Sequence, residues 1–154
     1  MKKIHILAVG KLRTPFWQAA AIYYQSRLKR GLVVSESVVK DGDAADLTER
    51  SRIEGERLLA ALLPEHYPIC LDEQGRQLAS VEFADLIRRT HEQFAKTPCF
   101  ILGGAYGLSP KIRAAACETL SLGKMTLPHE LARVVLLEQI YRADQIFRNS
   151  PYHH

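Results

Sequence analysis

"CFILGGAYGLSP", residues 99–110, decides the fold. Cys99 to Leu102 is an unbroken apolar run, the pattern of a strand covered on both faces in a parallel sheet. Two glycines close it and Gly107 follows. Ser109-Pro110 then offers a helix start, with Ser as cap and Pro at the first helical position. A buried strand, a glycine-rich turn and a capped helix make up half of a β–α–β unit.

The same grammar extends in both directions. "IHILAV" (Ile4–Val9) predicts a first buried strand, and Thr14-Pro15 opens a helix that places Trp17, Ala21, Tyr24 and Leu28 on one face. "LVVSESVV" (Leu32–Val39) predicts a second strand, followed by a charged amphipathic helix from about Ala44 to Leu63, stopped by Pro64. "PICLD" (Pro68–Asp72) reads as a third strand closed by a turn at Gln74-Gly75. Ser80 reads as the cap of a helix expected to carry Phe83, Leu86, Ile87 and Phe94. After strand four, a short helix runs to about Cys117, and "KMTL" (Lys124–Leu127) reads as a brief fifth strand. The last helix, from near Pro128 to Arg148, buries Ala132, Leu136, Ile140, Ala143 and Phe147. Glu138–Arg142 and Asp144–Arg148 pair along its polar side in the favoured i,i+4 order. Five alternations predict an α/β fold with a mostly parallel sheet and helices on both faces, in one domain spanning residues 1–154.

Composition narrows the class. The chain has 154 residues, 47% of them hydrophobic and 25% charged, as in an ordinary soluble domain. No apolar run approaches the ~20 residues of a membrane helix. The opening "MKKIHILAVG" is too short for a secretion signal, so no membrane association and a cytoplasmic location are expected. Cys70, Cys99 and Cys117 form no C-x-x-C pair, and the histidines at 5, 66, 91, 129, 153 and 154 have no zinc-ligand spacing. No metal is expected. Charge is unevenly spread. Residues 1–31 hold seven Lys or Arg and no acid, residues 32–104 hold eight bases against thirteen acids, and residues 105–154 six against four. A basic amino-terminal third suits sequence-independent attraction to nucleic-acid phosphates, although solvated helix faces give the same composition.

Ligands of open parallel sheets sit beyond the carboxyl ends of strands. "VGKLRTP" after the first strand has a single glycine, which excludes the G-x-G-x-x-G dinucleotide fingerprint, and no P-loop is present. The glycines gather instead after strand four, where Gly103, Gly104 and Gly107 allow backbone to approach a ligand or simply reverse the chain. In "SLGKMTLPHELAR", Gly123 permits a tight bend and Pro128 fixes a backbone angle ahead of His129. The apolar "MTLP" suits an adenine-like ring or a buried strand end equally well.

Four segments, "LDEQGRQLASVEFA", "FILGGAYGLSP", "SLGKMTLPHELARVVLLEQIYRA" and the terminal "PYHH", occur in an order and spacing that resemble one family. It is the small bacterial large-subunit rRNA pseudouridine methyltransferases of the SPOUT, or alpha/beta-knot, superfamily. "KIHILAVGKL" and "EGERLLAAL" extend the resemblance over essentially the whole chain. The resemblance implies a carboxyl-terminal deep trefoil knot, which ordinary topology rules disfavour. It also implies a homodimer and S-adenosyl-L-methionine as cofactor, bound by Leu71, Gly103 and the loop Gly123, Lys124, Met125, Thr126, Leu127 and Pro128. The implied reaction is N3 methylation of pseudouridine 1915 in helix 69 of the 23S rRNA, within the assembled ribosome. A non-catalytic ribosome-binding module of the same fold, or a tRNA methyltransferase of the superfamily, would share these features.

The same resemblance gives the terminal segment a role, with Pro151, Tyr152 and His153 reaching the cofactor pocket of the partner subunit. His153 is the candidate to assist loss of the N3 proton, since an imidazole exchanges protons near neutral pH. Tyr152 is placed to stack on or hydrogen-bond the base, which must leave its stack to be reached. Arg142 holds a phosphate or the tail, or else pairs with Glu138. His154, where arginine is common in the family, and His129 are candidates for substrate contact, His129 also reading as a local backbone cap.

Overall fold

The computed structural model describes residues 2–28 and 31–153; Met1, Lys29, Arg30 and His154 fall outside the described residues, and with them the expected role of His154. The elements run β1 (Lys2–Val9), α1 (Pro15–Arg27), β2 (Leu32–Val39), α2 (Leu47–Ala61), β3 (His66–Gln77), α3 (Ser80–Glu92), β4 (Thr97–Leu102), α4 (Pro110–Ala115), β5 (Glu118–Ser121) and α5 (His129–Phe147). A single 3-10 turn follows over Pro151–His153. The five strands form one sheet in the order β2-β1-β4-β3-β5, with every pairing parallel. That accounts for the apolar runs, since central strands β1 and β4 are covered on both sides.

Strand alternation sorts the core into two layers. Ile4, Ile6 and Ala8 of β1 and Phe100 and Leu102 of β4 face α1, α3 and α5. Leu7, Val9, Cys99 and Ile101 point the other way, toward Leu58 of α2 and Ile112 of α4. Helix α5 is the principal cover of the first layer, with Leu136, Leu137, Ile140 and Ala143 fully buried. Each large apolar side chain removed from water there contributes about 1.5–3 kcal/mol. Burial also makes two thiols inert, pushing Cys70 up to about 11 and Cys99 up to about 12, while Cys117 is exposed.

Several expected boundaries move, for identifiable reasons. Thr14 stands at the cap position of α1, but its hydroxyl donates to Glu130 Oε2 at 2.7 Å rather than capping the helix. Helix α2 starts later than Ala44, where Asp46 accepts from the Glu49 N–H at 2.9 Å. Strand β3 continues through Gln74-Gly75: Leu71 and Arg76 both register with Leu120, so the residues between them form a bulge. Phe94 lies past the end of α3 and stacks on Tyr67, ring centroids 5.1 Å apart. The fifth strand is Glu118–Ser121, and Lys124–Leu127 is loop. On α5, Phe147 is exposed, whereas Asp144 is buried and accepts from the Leu32 N–H at 3.3 Å while pairing with Arg148.

At the amino end of the sheet His5 and His66 stack with ring centroids 4.8 Å apart. Burial lowers both pKa values from 6.5, and the neighbouring His66 lowers His5 further. The unfolded chain therefore binds more protons than the folded one once pH falls below the ordinary histidine range. Melting temperature is expected to hold above about pH 6.5 and to decline below it, with His66→Gln flattening the decline. In the opposite half of the core, Leu136→Ala is expected to lower stability by about 2–5 kcal/mol in urea titration.

Candidate active site

An open cleft of about 840 Å³ lies beyond the carboxyl end of β4 and beside an irregular stretch of β3. Three irregular segments build it, and each is irregular for a local reason. The first is the β3 bulge, where Asp72 Oδ1 accepts from the Gln74 N–H at 2.9 Å and turns Asp72, Glu73 and Gln74 toward the cleft beside Leu71. The second is the turn after β4. Gly104 and Gly107 bridge there in antiparallel fashion, the Gly107 N–H donating to Gly104 O at 3.1 Å. A Cβ added at Gly103 would stand 2.7 Å from the Gly107 carbonyl carbon, so this position requires glycine. Ser109 then caps α4 by accepting from the Ile112 N–H.

The third segment is the loop after β5. It bends at Gly123, whose φ of +148° disfavours any side chain. Ser121 fastens the bend, accepting from the Gly123 N–H at 3.1 Å and donating to its carbonyl at 2.7 Å. Met125, Thr126, Leu127 and Pro128 then line the cleft on the way into α5. His129, the first residue of α5, also faces it, and its ring makes no backbone hydrogen bond among the described residues, so it is not a cap.

Of the residues expected to bind cofactor, Leu71, Gly103, Gly123 and Met125 through Pro128 meet in this one cleft, while Lys124 is exposed and outside its lining. Sequence reasoning did not single out Asp72, Tyr106 or Arg113. Asp72 is tied to Arg113 by an ion pair at 2.6 Å, and Tyr106 is half exposed at the rim. An acid directly after a buried strand was the available signal for Asp72. Glu54 gave none: it lies buried against Gly104, and burial raises its pKa.

The tail is docked elsewhere on its own chain. Tyr152 OH donates to Glu138 Oε1 at 3.2 Å, and its ring meets Tyr141 edge-on at 4.9 Å. Arg142 pairs with the same Glu138 oxygen at 2.8 Å and lies 5.0 Å from the Tyr152 ring centre. Burial, with Glu138 second, raises the Tyr152 pKa and keeps the phenol protonated; the hydrogen bond to Glu138 holds Arg142 charged. Arg142 and Tyr152 thus form one group on the polar side of α5, and neither they nor His153 lines the cleft of the same chain. Among the described residues no helix is long and apolar enough to cross a membrane, and no cluster of three metal-ligating side chains forms.

Comparison with known proteins identifies the lineage. A family model described as "Predicted SPOUT methyltransferase" matches residues 1–153. A ribosomal RNA large subunit methyltransferase H from Nitratidesulfovibrio vulgaris (strain DSM 19637 / Miyazaki F) is 54% identical, covering 100% of each chain. The protein of the same name from Lawsonia intracellularis is 47% identical over 99% of this chain and 98% of its own. Among solved structures, a probable methyltransferase from Bordetella pertussis Tohama I shares the fold with a TM-score of 0.58. Its identity is 15%, covering 92% of this chain and 96% of that one. An all-parallel five-stranded sheet carrying a glycine-turn cleft is thus matched along almost its full length, and the chain belongs to the SPOUT methyltransferase family.

Proposed function

We propose that the chain is an S-adenosyl-L-methionine-dependent methyltransferase acting on N3 of pseudouridine 1915 in helix 69 of 23S rRNA, in the assembled ribosome. The observation that carries this reading is the meeting of Leu71, Gly103 and the Gly123–Pro128 loop, distant in sequence, around one cleft. The relatives named as large-subunit rRNA methyltransferases support the choice of substrate.

The cleft fits the cofactor in size and chemistry. Its volume lies within the ~300–1,000 Å³ of small-molecule sites. Leu71, Met125 and Leu127 offer apolar surface to an adenine ring, the turn at Gly103 leaves room that a side chain would fill, and Asp72 and Glu73 supply acceptors for hydroxyl groups. When bound, the cofactor supplies an electrophilic methyl group on a sulfonium. The chain must then hold the base in line and take up the N3 proton. His153 accepts that proton. Tyr152, kept protonated, donates a hydrogen bond or stacks on the flipped base rather than acting as a base itself. Arg142 and Glu138 position Tyr152.

Since the tail is remote from the cleft of its own chain, it serves the cleft of a second copy in a homodimer. The outer face of α1, where Phe16 is 64% and Ile22 65% exposed, supports such a partner surface. A carboxyl-terminal trefoil knot is part of this reading. It is supported by the path of the chain, which leaves edge strand β5, passes the β3 bulge and the carboxyl end of β4 and enters α5 against the segment after β1.

Gly103→Val is expected to weaken S-adenosyl-L-methionine binding at least tenfold, about 1.4 kcal/mol, by calorimetry. Unchanged affinity removes the glycine turn from the site. Deleting residues 151–154 is expected to cut methyl transfer to unmodified ribosomes by about 10²-fold or more while cofactor binding persists. Full activity in the truncated protein rules out the tail mechanism, and mass mapping of the methylated nucleotide tests the target.

A further inference from the structure

The segment between β1 and α1, residues 10–14, is held by an unusual number of polar ties to α5. Glu130 accepts from the Arg13 N–H at 2.5 Å, the Thr14 N–H at 3.1 Å and the Thr14 hydroxyl at 2.7 Å. Arg133, buried to 3% exposure, donates through Nη2 to Gly10 O at 2.7 Å. From its other end the segment is tied by the Gln18 side chain, which donates to Leu12 O at 2.7 Å. The Thr14 hydroxyl, then the two backbone N–H groups, hold the Glu130 carboxyl at about 2. Carboxylate, guanidinium and amide all act on backbone, so their combined effect is to fix the shape of the segment.

What the fixed segment displays is positive charge. Lys11 is exposed and forms neither ion pair nor hydrogen bond among the described residues. Arg13 is 79% exposed at its side chain, and the guanidinium's one partner among the described residues, Asp41 at 3.1 Å, is itself half exposed. Such a pair contributes little and exchanges readily for another anion. The position matters too. β1 neighbours β4 in the sheet, with Ala8 opposite Leu102, so this segment stands beside the Gly103 turn; Glu130 directly follows His129, which faces the cleft.

We infer that Lys11 and Arg13 form a preorganised grip on substrate RNA phosphates at the rim of the cleft, with Glu130 and Thr14 as positioning residues. The inference rests on the RNA substrate proposed above. It explains a carboxylate beside a cationic patch: Glu130 gives up some attraction for the anion in return for an ordered segment, which lowers the entropic cost of seating the RNA.

Ribosomes purified from a strain lacking the methyl mark serve as the probe, with sedimentation binding measured between about 50 and 200 mM salt. Lys11→Gln with Arg13→Gln is expected to lower affinity on the order of tenfold per phosphate contact at about 0.1 M salt, and to reduce the slope of log affinity against log salt by about 1.5–2. KM for ribosomes rises, kcat and cofactor affinity stay, and Lys11→Arg retains binding. Glu130→Ala adds a positive increment of net charge, and charge alone would tighten binding; the inference requires it to weaken, as does the charge-neutral Thr14→Val. Wild-type affinity and slope in the double variant overturn the grip, and tighter binding by Glu130→Ala overturns the positioning role. A wild-type protein that binds cofactor but neither binds nor methylates these ribosomes defeats the proposed function, and the inference falls with it.

Discussion

Burial of α5 between α1 and α3 is the constraint on which the rest of the molecule depends. Its inward stripe, Leu136, Leu137, Ile140 and Ala143, is withdrawn from water against the sheet. Once that stripe is seated, the remaining faces of the helix have fixed addresses. The first turn puts His129 at the cleft, the next residues carry Glu130 and Arg133 to the segment after β1, and the polar side offers Glu138, Tyr141 and Arg142 to the tail. One hydrophobic contact thereby sets the relative placement of the cleft wall, the Lys11–Arg13 segment and the carboxyl terminus. A loss of packing at Ile140 would be felt at all three.

The cleft shows how irregular backbone is made rigid without a regular ladder. Asp72 closes the β3 bulge on itself and is anchored by Arg113, Ser121 closes the Gly123 bend, and the Gly104–Gly107 bridge closes the turn between them. Each device satisfies groups that would otherwise face a cavity unpaired. The result is a preformed pocket with an apolar side at Leu71, Met125 and Leu127 and a carboxylate side at Asp72 and Glu73. That polarity suits a molecule with an aromatic ring at one end and hydroxyl and cationic groups along its length.

Much of the architecture was legible because strand burial and helix periodicity are local signals. β1 and β4 announced themselves as apolar runs and β2 as a segment rich in valine, and Ser109-Pro110 started α4 as written. The misreadings came where tertiary contacts overrule local chemistry. "KMTL" reads as a strand, but β5 had already paired with β3 upstream, leaving Met125 and Leu127 to wall a cavity. Gln74-Gly75 has turn chemistry, yet pairing with Leu120 draws the chain on as a bulged strand. Thr14 has the side chain of a cap, but a carboxylate far along the sequence recruits its hydroxyl. The gathering of Leu71, Gly103 and Gly123 followed from family resemblance rather than from periodicity. No spacing rule reveals which strand ends converge.

The distribution of thiols has a practical consequence. Cys70 and Cys99 sit between sheet and helices with their sulfurs held in the unreactive protonated form, whereas Cys117 is exposed just before the amino end of β5, and the cleft lies past that strand's carboxyl end. Maleimide or iodoacetamide reagents, which need an accessible thiolate, will therefore modify this one position selectively and slowly. The native chain comes with a single attachment point for a fluorophore, from which association with a large partner can be followed without engineering any residue that lines the cleft.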